Sequence, residues 1–404
     1  MNPFAGKNII VGITGSIAAY KAAEIASALT KAGANVQPVL TPAGEKFITP
    51  LTLQSVTGNH ASVDNDLWTG EHHVAHITLG HDADLIMITP ASANFMGKVA
   101  CGLGDSLLAL TILASHCPVL IAPAMDGDMY ANAATQANVA LLRERGFHFV
   151  GPAQGHLASG FTGVGRMSEP TEIVAAARYI LSRDNSLKGK KIIVTAGGTR
   201  EAIDPVRYIG NRSSGKQGLA LAQAVQDSGA DVILIKTPAL TEKLYGAENI
   251  EVVSAEEMRN AVFSNLPDAD GLLMVAAVAD YKPQITAEEK IKKTGKRMTL
   301  QLEATTDILY EIGENRNRFP KLKVLGGFAA ESEDLLNNAK AKLKKKHLDF
   351  IFANDISSNE SGFESEQNKG FLIDRSGIMR EVPLSSKQKI AEEIVTELVK
   401  LFSE

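Results

Sequence analysis

Between Thr195 and Gly215 the chain gathers Arg200, Arg207 and Arg212 with Asn211, Ser213 and Ser214 in one stretch that ends on a glycine. Guanidinium, amide and hydroxyl donors at that density suit phosphate and carboxylate oxygens, which arginine grips through two parallel hydrogen bonds. Ser213-Ser214-Gly215 also leads into a predicted helix over residues 217 to 227, whose N-terminal amides would face the same oxygens. Asp280 ends a predicted strand over residues 272 to 278, and Glu289-Lys290-Ile291-Lys292-Lys293 follows. Lysines beside a strand end can neutralise a triphosphate, while the same run on an exposed loop serves solubility alone. Lys342 and Lys346 continue a 3.6-residue stripe begun by Leu335 and Ala339, in a helix predicted to be capped by Ser332 with Glu333 and Asp334. Such lysines fit an anionic ligand or a snorkelling rim equally.

The first half has its own candidates. Thr14-Gly15-Ser16 ends a β-branched run and opens a helix, so its amides and the Ser16 hydroxyl could cradle a phosphate. Gly12-Ile13-Thr14-Gly15 is not a full dinucleotide fingerprint, and Thr41 stands where a dinucleotide binder would place an acid for the ribose. A mononucleotide such as FMN fits better than NAD, which makes a nicotinamide dehydrogenase the weaker reading. His72, His73 and His76 invite a metal reading, but no Cys or acid at ligand spacing completes a site. His76 remains either a base near neutral pH or a satisfied structural histidine.

Two repeated frameworks must position these groups. Lys7 to Ser16 is echoed by Lys190 to Thr199, each a β-branched run ending in glycines, and each half then runs through a helix to a Gly-Ala turn and another strand. That is the strand–helix–strand unit of a parallel sheet. Asp82-Ala83-Asp84 before Leu85 is likewise echoed by Asp268-Ala269-Asp270 before Leu272, with continuous apolar strands of the kind buried on both faces. The span from Ile9 to Gly33 is 24 positions and that from Ile192 to Gly229 is 37, so the second half carries an insertion within about Arg200 to Arg212. Ligands bind beyond the C-terminal strand ends of open parallel sheets, where both motif clusters fall.

The bulk numbers agree. A chain of 404 residues is too long for one core and fits two domains. The stretch Arg183 to Gly189 is the natural linker, which puts the boundary near residue 187 and the domains at 1–187 and 188–404. The predicted fold is α/β: two doubly wound, Rossmann-like parallel-sheet domains, the first flavodoxin-like. A net charge of -5 gives no basic field for nucleic acid, and no apolar run approaches the roughly 20 residues of a membrane span. Cys101 and Cys117 alone cannot build a disulfide framework, and no signal peptide opens the chain, so a cytoplasmic location is expected.

In the first half, Gly12-Ile13-Thr14-Gly15-Ser16-Ile17-Ala18-Ala19-Tyr20-Lys21, His76-Ile77, Pro90-Ala91-Ser92-Ala93-Asn94, Pro123-Ala124-Met125 and Gly163-Val164-Gly165-Arg166-Met167 resemble the flavin-dependent phosphopantothenoylcysteine decarboxylases. The resemblance implies an FMN site formed by Gly15, Ser16, Thr41, Ser92, Asn94 and Ser106, with His76 at the active-site histidine's position. Two residues depart from the pattern. Asp126 stands where the family usually has an asparagine that holds the substrate carboxylate, and would repel that group unless protonated or bridged by a cation. Ser159 stands where the substrate loop usually carries a catalytic cysteine, and a serine hydroxyl is a poor substitute as proton donor.

In the second half, Gly198-Thr199-Arg200-Glu201, Asp204-Pro205-Val206-Arg207, Asn211-Arg212-Ser213-Ser214-Gly215, Ala276-Ala277-Val278-Ala279-Asp280, Lys290-Ile291-Lys292-Lys293 and Gly327-Phe328-Ala329-Ala330-Glu331 resemble the CTP-dependent phosphopantothenate-cysteine ligases. Ala304-Thr305-Thr306-Asp307 is looser, since the bacterial pattern often reads Asn-Pro-Asp there. The resemblance implies that CTP activates a carboxylate as an acyl-cytidylate, which the cysteine amine then attacks. It implies catalytic roles for Asn211 and Lys290, substrate contacts at Arg207, Asn211 and Ala276, beside that of Asp126 in the first half, and CTP contacts at Asp280, Lys290, Phe328, Lys342 and Lys346, with Mg2+ on the triphosphate and its protein ligands unknown.

The ligase product is the decarboxylase substrate, so the fusion itself resembles the bifunctional bacterial enzymes of coenzyme A synthesis. That family implies 4'-phosphopantothenate, L-cysteine and CTP as small-molecule partners, and a homo-oligomer of trimerising first domains and dimerising second domains, a dodecamer. The alternative is a ligase whose flavin-binding first half is regulatory and does not decarboxylate.

Overall fold

The computed structural model describes residues 2–68, 74–293, 295, 297–331, 334–355 and 367–403. His72 and His73 of the histidine cluster, and Ser332 and Glu333 of the expected cap, lie outside the described residues. The chain divides into two compact units, Asn2–Ser182 and the residues from Arg183 onward. Leu187 is fully buried in the core of the second unit.

The first unit is built on a five-stranded parallel sheet of β1 (Asn8–Ile13), β2 (Asn35–Leu40), β3 (Leu85–Ala91), β4 (Val119–Pro123) and β5 (His148–Phe149), in the order β2-β1-β3-β4-β5. Apart from the half-buried Asn8 that opens β1 and Thr89 in β3, the central strands are apolar without alternation and buried, as strands covered by helices on both faces must be. Helix α1 (Tyr20–Lys31) buries Ala22, Ile25, Ala26 and Leu29, one stripe at helical spacing. Then come α2 (Pro50–Thr57), α3 (Ala75–Asp82), α4 (Ala93–Cys101), α5 (Leu107–Ala114), α6 (Gly127–Ala131) and α7 (Ala133–Glu144). A hairpin of β6 (Ala153–His156) and β7 (Thr162–Arg166) stands outside the sheet, and α8 (Pro170–Ser182) ends the unit.

In the second unit β8 (Lys191–Ala196) is followed by a hairpin, β9 (Arg200–Ala202) with β10 (Tyr208–Gly210), and then by α9 (Lys216–Asp227). The insertion is therefore folded as a hairpin where the sequence alone reads as a long loop. Next come β11 (Asp231–Lys236), β12 (Glu248–Glu251), α10 (Ala255–Asn265), β13 (Gly271–Met274), β14 (Tyr281–Pro283), β15 (Leu302–Ala304) and α11 (Ile308–Glu314). The chain closes with β16 (Val324–Glu331), α12 (Leu335–Lys345), β17 (Phe350–Asp355), β18 (Gln367–Asp374), β19 (Met379–Ser386) and α13 (Lys387–Ser403). The eight-stranded sheet has the order β12-β11-β8-β13-β16-β17-β18-β19. It is parallel as far as β17, and its last two strands are antiparallel. Alternate residues of β8 feed opposite layers: Ile192 and Val194 pack with α9 and α13, and Ile193 packs with α10 and α11.

The Asp-Ala-Asp echo has the same structural job in both units. Asp84 Oδ2 accepts the Asn8 N–H and Asp270 Oδ2 accepts the Lys191 N–H, each at 2.8 Å. The same aspartates return their own N–H groups to the Asn8 and Lys191 carbonyls. Each carboxylate thus locks the start of the first strand to the strand beside it. Asp270 is buried, so Asp270→Ala should destabilise the second unit by about 1–3 kcal/mol by orphaning the Lys191 N–H. Asp84→Ala should cost the first unit less, because Asp84 is partly solvated; urea unfolding of the two variants checks both.

Candidate functional site

In each unit the site lies beyond the C-terminal strand ends of the sheet, past β1 and β4 in the first and, in the second, past β8 and β13, where the strand order reverses.

In the first unit a cavity of about 360 Å³ opens between the start of α1, the end of β4 and the β6–β7 hairpin. That volume is within the usual range for small-molecule pockets. Ser16 ends the β1 loop in extended conformation, and its hydroxyl accepts the Ala18 N–H at 3.4 Å. Gly165 lies so close to the β4 end that a Cβ on it would sit 2.3 Å from the Met125 carbonyl, and its own carbonyl accepts the Met125 N–H. Asp126 caps α6, with Oδ1 accepting the Asp128 N–H at 3.0 Å and Oδ2 accepting the Ser159 hydroxyl at 2.6 Å. The Ser159 hydrogen bond, then that of Asp128, hold the Asp126 carboxyl below the usual aspartate range. Lys21 and Arg166 also border the cavity, and both pair with Glu169.

Of the residues assigned to the first site, Ser16, Asp126 and Ser159 line this cavity together. Thr41 is buried, donating to the Ile13 carbonyl and accepting from Gly44, while Ser92 and Ser106 cap α4 and α5. Gly15 is packed against Ala43, and Asn94 is exposed. His76 sits in the first turn of α3 with Nδ1 buried and unpartnered, outside the cavity lining. His156, Tyr20 and Lys21 also line the cavity, Tyr20 and Lys21 from within the Gly12–Lys21 motif.

In the second unit, side chains stitch the loops after β8 and β13 together. Thr195 Oγ1 accepts the N–H groups of Val275 and Ala276, and Thr199 Oγ1 accepts that of Ala279. Asn211 donates both Nδ2 hydrogens, to the Ala277 carbonyl at 3.1 Å and the Val278 carbonyl at 3.2 Å, leaving its Oδ1 for a ligand. Gly215, at φ +79°, turns the chain into α9 beside Gly197 and Leu240, where a side chain would be both strained and obstructed. A cavity of about 120 Å³ there is lined by Ser213, Ser214, Ala276 and Phe328, and by Asn354 and Lys387, which no local motif marks.

Arg207 does not point its guanidinium into this cavity. Asp204, almost wholly buried, accepts the Val206 and Arg207 N–H groups and two guanidinium hydrogens of Arg207, which also reaches the Ile291 carbonyl at 2.8 Å. The Arg207 side chain is the main cause that holds the Asp204 carboxyl well below its usual range. Because Ile291 is tethered here, Asp204 and Arg207 determine where Lys290 starts from. Asp280, Lys290, Lys342 and Lys346 are not among the cavity-lining residues; Lys346 pairs with Asp307 at 2.9 Å. Among the described residues, no three His, Cys, Asp or Glu side chains are placed to hold a metal ion.

Residues 3–181 match the family described as Flavoprotein, and residues 187–402 match the DNA/pantothenate metabolism flavoprotein C-terminal domain. Fold, crevices and both matches define a two-domain flavoprotein of pantothenate metabolism. The chain is 41% identical over 398 residues to the coenzyme A biosynthesis bifunctional protein CoaBC of Bacillus subtilis (strain 168), covering 98% of this chain and 97% of that protein. With the Vibrio cholerae CoaBC it shares 43% over 397 residues, covering 98% of each. A solved C-terminal domain of a CoaBC protein is 34% identical, spans 55% of this chain and 99% of its own, and superposes with a TM-score of 0.46. The chain belongs to the bifunctional coenzyme A biosynthesis family, and is an enzyme with a flavoprotein decarboxylase half and a ligase half. No helix among the described residues is long and apolar enough to cross a membrane.

Asp204→Asn should free Arg207 and loosen the β9–β10 hairpin, raising tryptic cleavage at Arg200, Arg207 or Arg212 several-fold. A depressed carboxyl stabilises above its unfolded pKa of about 3.9 and loses that contribution as the pH falls, so amide hydrogen-exchange protection of the wild-type hairpin, corrected for intrinsic rates, should be level from pH 5 to 8 and decline only below about pH 4.

Proposed function

We propose that the second unit joins 4'-phosphopantothenate to L-cysteine with CTP, and that the first unit decarboxylates the resulting 4'-phosphopantothenoylcysteine to 4'-phosphopantetheine with FMN in its cavity. Both family halves in one chain, each with a built crevice, carry this reading. Bound FMN supplies a hydride acceptor and donor. Ser16 and the amides after it suit its phosphate. Gly15, Thr41, Ser92, Asn94 and Ser106 complete the FMN site with Ser16. A single chain does not bring His76 to the cavity of Asp126 and Ser159, which supports a homo-oligomer, up to the dodecamer, in which a second copy completes the site.

In the ligase, CTP makes the pantothenate carboxylate reactive as an acyl-cytidylate, with Lys290 drawing charge off the transferring phosphoryl group and Asp280, Phe328, Lys342 and Lys346 holding the nucleotide. The α9 N-terminus with Ser213 and Ser214 takes the substrate's anionic end, and Ala276 lines its path. Asn211 turns its free Oδ1 to the incoming amine. Arg207 serves as the brace of the hairpin. Mg2+ would be held by the oxygens of the CTP triphosphate and would spread the negative charge of the transferring phosphoryl group. Cytoplasmic action fits two cysteines that are both free thiols.

Purified protein should carry a yellow chromophore, release pyrophosphate from CTP, and evolve CO2 from 4'-phosphopantothenoylcysteine; a flavin-loaded protein that ligates without evolving CO2 would instead support the regulatory first half. Asn211→Asp should retain CTP-dependent pyrophosphate release while product falls about 100-fold or more, a loss typical of removing one positioned polar group. Quenched-flow separation of acyl-cytidylate from product decides, and normal ligation by the variant would refute the role.

A further inference from the structure

The first unit's cavity carries a carboxylate, Asp126, on its lining, at the position where the related decarboxylases usually have the asparagine that holds the substrate carboxylate. Both Asp126 oxygens are met by donors: Oδ2 by the Ser159 hydroxyl at 2.6 Å and Oδ1 by the Asp128 N–H at 3.0 Å. That arrangement stabilises the ionised form, and the Asp126 carboxyl is indeed held below the ordinary aspartate range. The partners come from different elements, the start of α6 and the turn of the β6–β7 hairpin, so the bond also fixes the hairpin tip over the cavity. Lys21 and Arg166 share the one carboxylate of Glu169, and neither acts on the Asp126 carboxyl, whose partners are Ser159 and Asp128. His156 and Tyr20 are the remaining titratable groups on the lining.

We propose that the Asp126–Ser159 pair makes this cavity select by charge, disfavouring a ligand that still bears the carboxylate and favouring the form that has lost it. Ser159 is the positioning residue: its hydroxyl keeps Asp126 ionised and aimed inward. The inference rests on the decarboxylase reading of the cavity. Two unit charges a few ångströms apart near a protein surface repel strongly enough to move binding tenfold or more. The repulsion is present while the carboxylate is bound and is relieved once that group has gone. Asp126 therefore opposes substrate binding and favours the decarboxylated state, the opposite of an amide, which would hold the carboxylate.

Calorimetric titration of the full-length, flavin-loaded protein with two unreactive probes tests this: 4'-phosphopantothenoylserine, which keeps the carboxylate, and 4'-phosphopantothenoylethanolamine, which lacks it. The wild type should bind the ethanolamine probe at least tenfold more tightly. Asp126→Asn should tighten the serine probe at least tenfold and leave the other within about threefold. Ser159→Ala should give an intermediate ratio and Ser159→Thr, which keeps the hydroxyl, should restore it. An equal ratio in wild type and Asp126→Asn, or failure of both probes to bind, overturns the inference. CO2 release is measured separately. Release with a ratio indifferent to Asp126 sinks the inference and spares the decarboxylase reading; an Asp126-dependent ratio without release does the reverse.

Discussion

Both sites depend on a pair of reciprocal hydrogen bonds between one aspartate and the first residue of a strand. Asp84 with Asn8 and Asp270 with Lys191 exchange a backbone bond and add a carboxylate contact to the N–H. That sets the registers Ile9↔Leu85 and Ile192↔Gly271. A parallel strand displaced by one residue would turn its whole side-chain set to the other helical layer. With register set, the loops that follow these strands leave the sheet at its C-terminal edge, where each unit's cavity opens.

Upon this common frame the units diverge through what crosses the crevice. In the first, the β6–β7 hairpin reaches back to the end of β4 through Met125 and Gly165, and its tip is tied down by Ser159 on Asp126. In the second, the inserted β9–β10 hairpin is braced by Asp204 and Arg207, and Asn211 beyond it donates to the loop after β13. Each hairpin is a cover whose position is dictated by one buried or half-buried carboxylate. The two carboxylates act differently: Asp204 neutralises an arginine, whereas Asp126 is served by neutral donors and keeps its charge for the cavity.

The amino-acid sequence by itself determined the layers. Uninterrupted β-branched runs, Gly-Ala turns and the Asp-Ala-Asp echo are local signals, and they place the central strands and the first helix of each unit, although the strand expected over residues 272 to 278 ends at Met274 and the residues after it belong to the loop lining the cavity. The family, and with it the two activities, was also legible, because the motifs that carry it are contiguous. Only the tertiary structure decided which charges are free. Arg207 has the composition of an anion ligand but a buried carboxylate three residues away, and Asp126 and Ser159 are two separate departures in sequence that meet at 2.6 Å in space. Asn354 and Lys387 enter the ligase cavity from distant elements with no spacing to announce them. Hydrogen bonding and charge pairing depend on distances of a few ångströms between residues tens of positions apart, and periodicity along the chain carries no record of those.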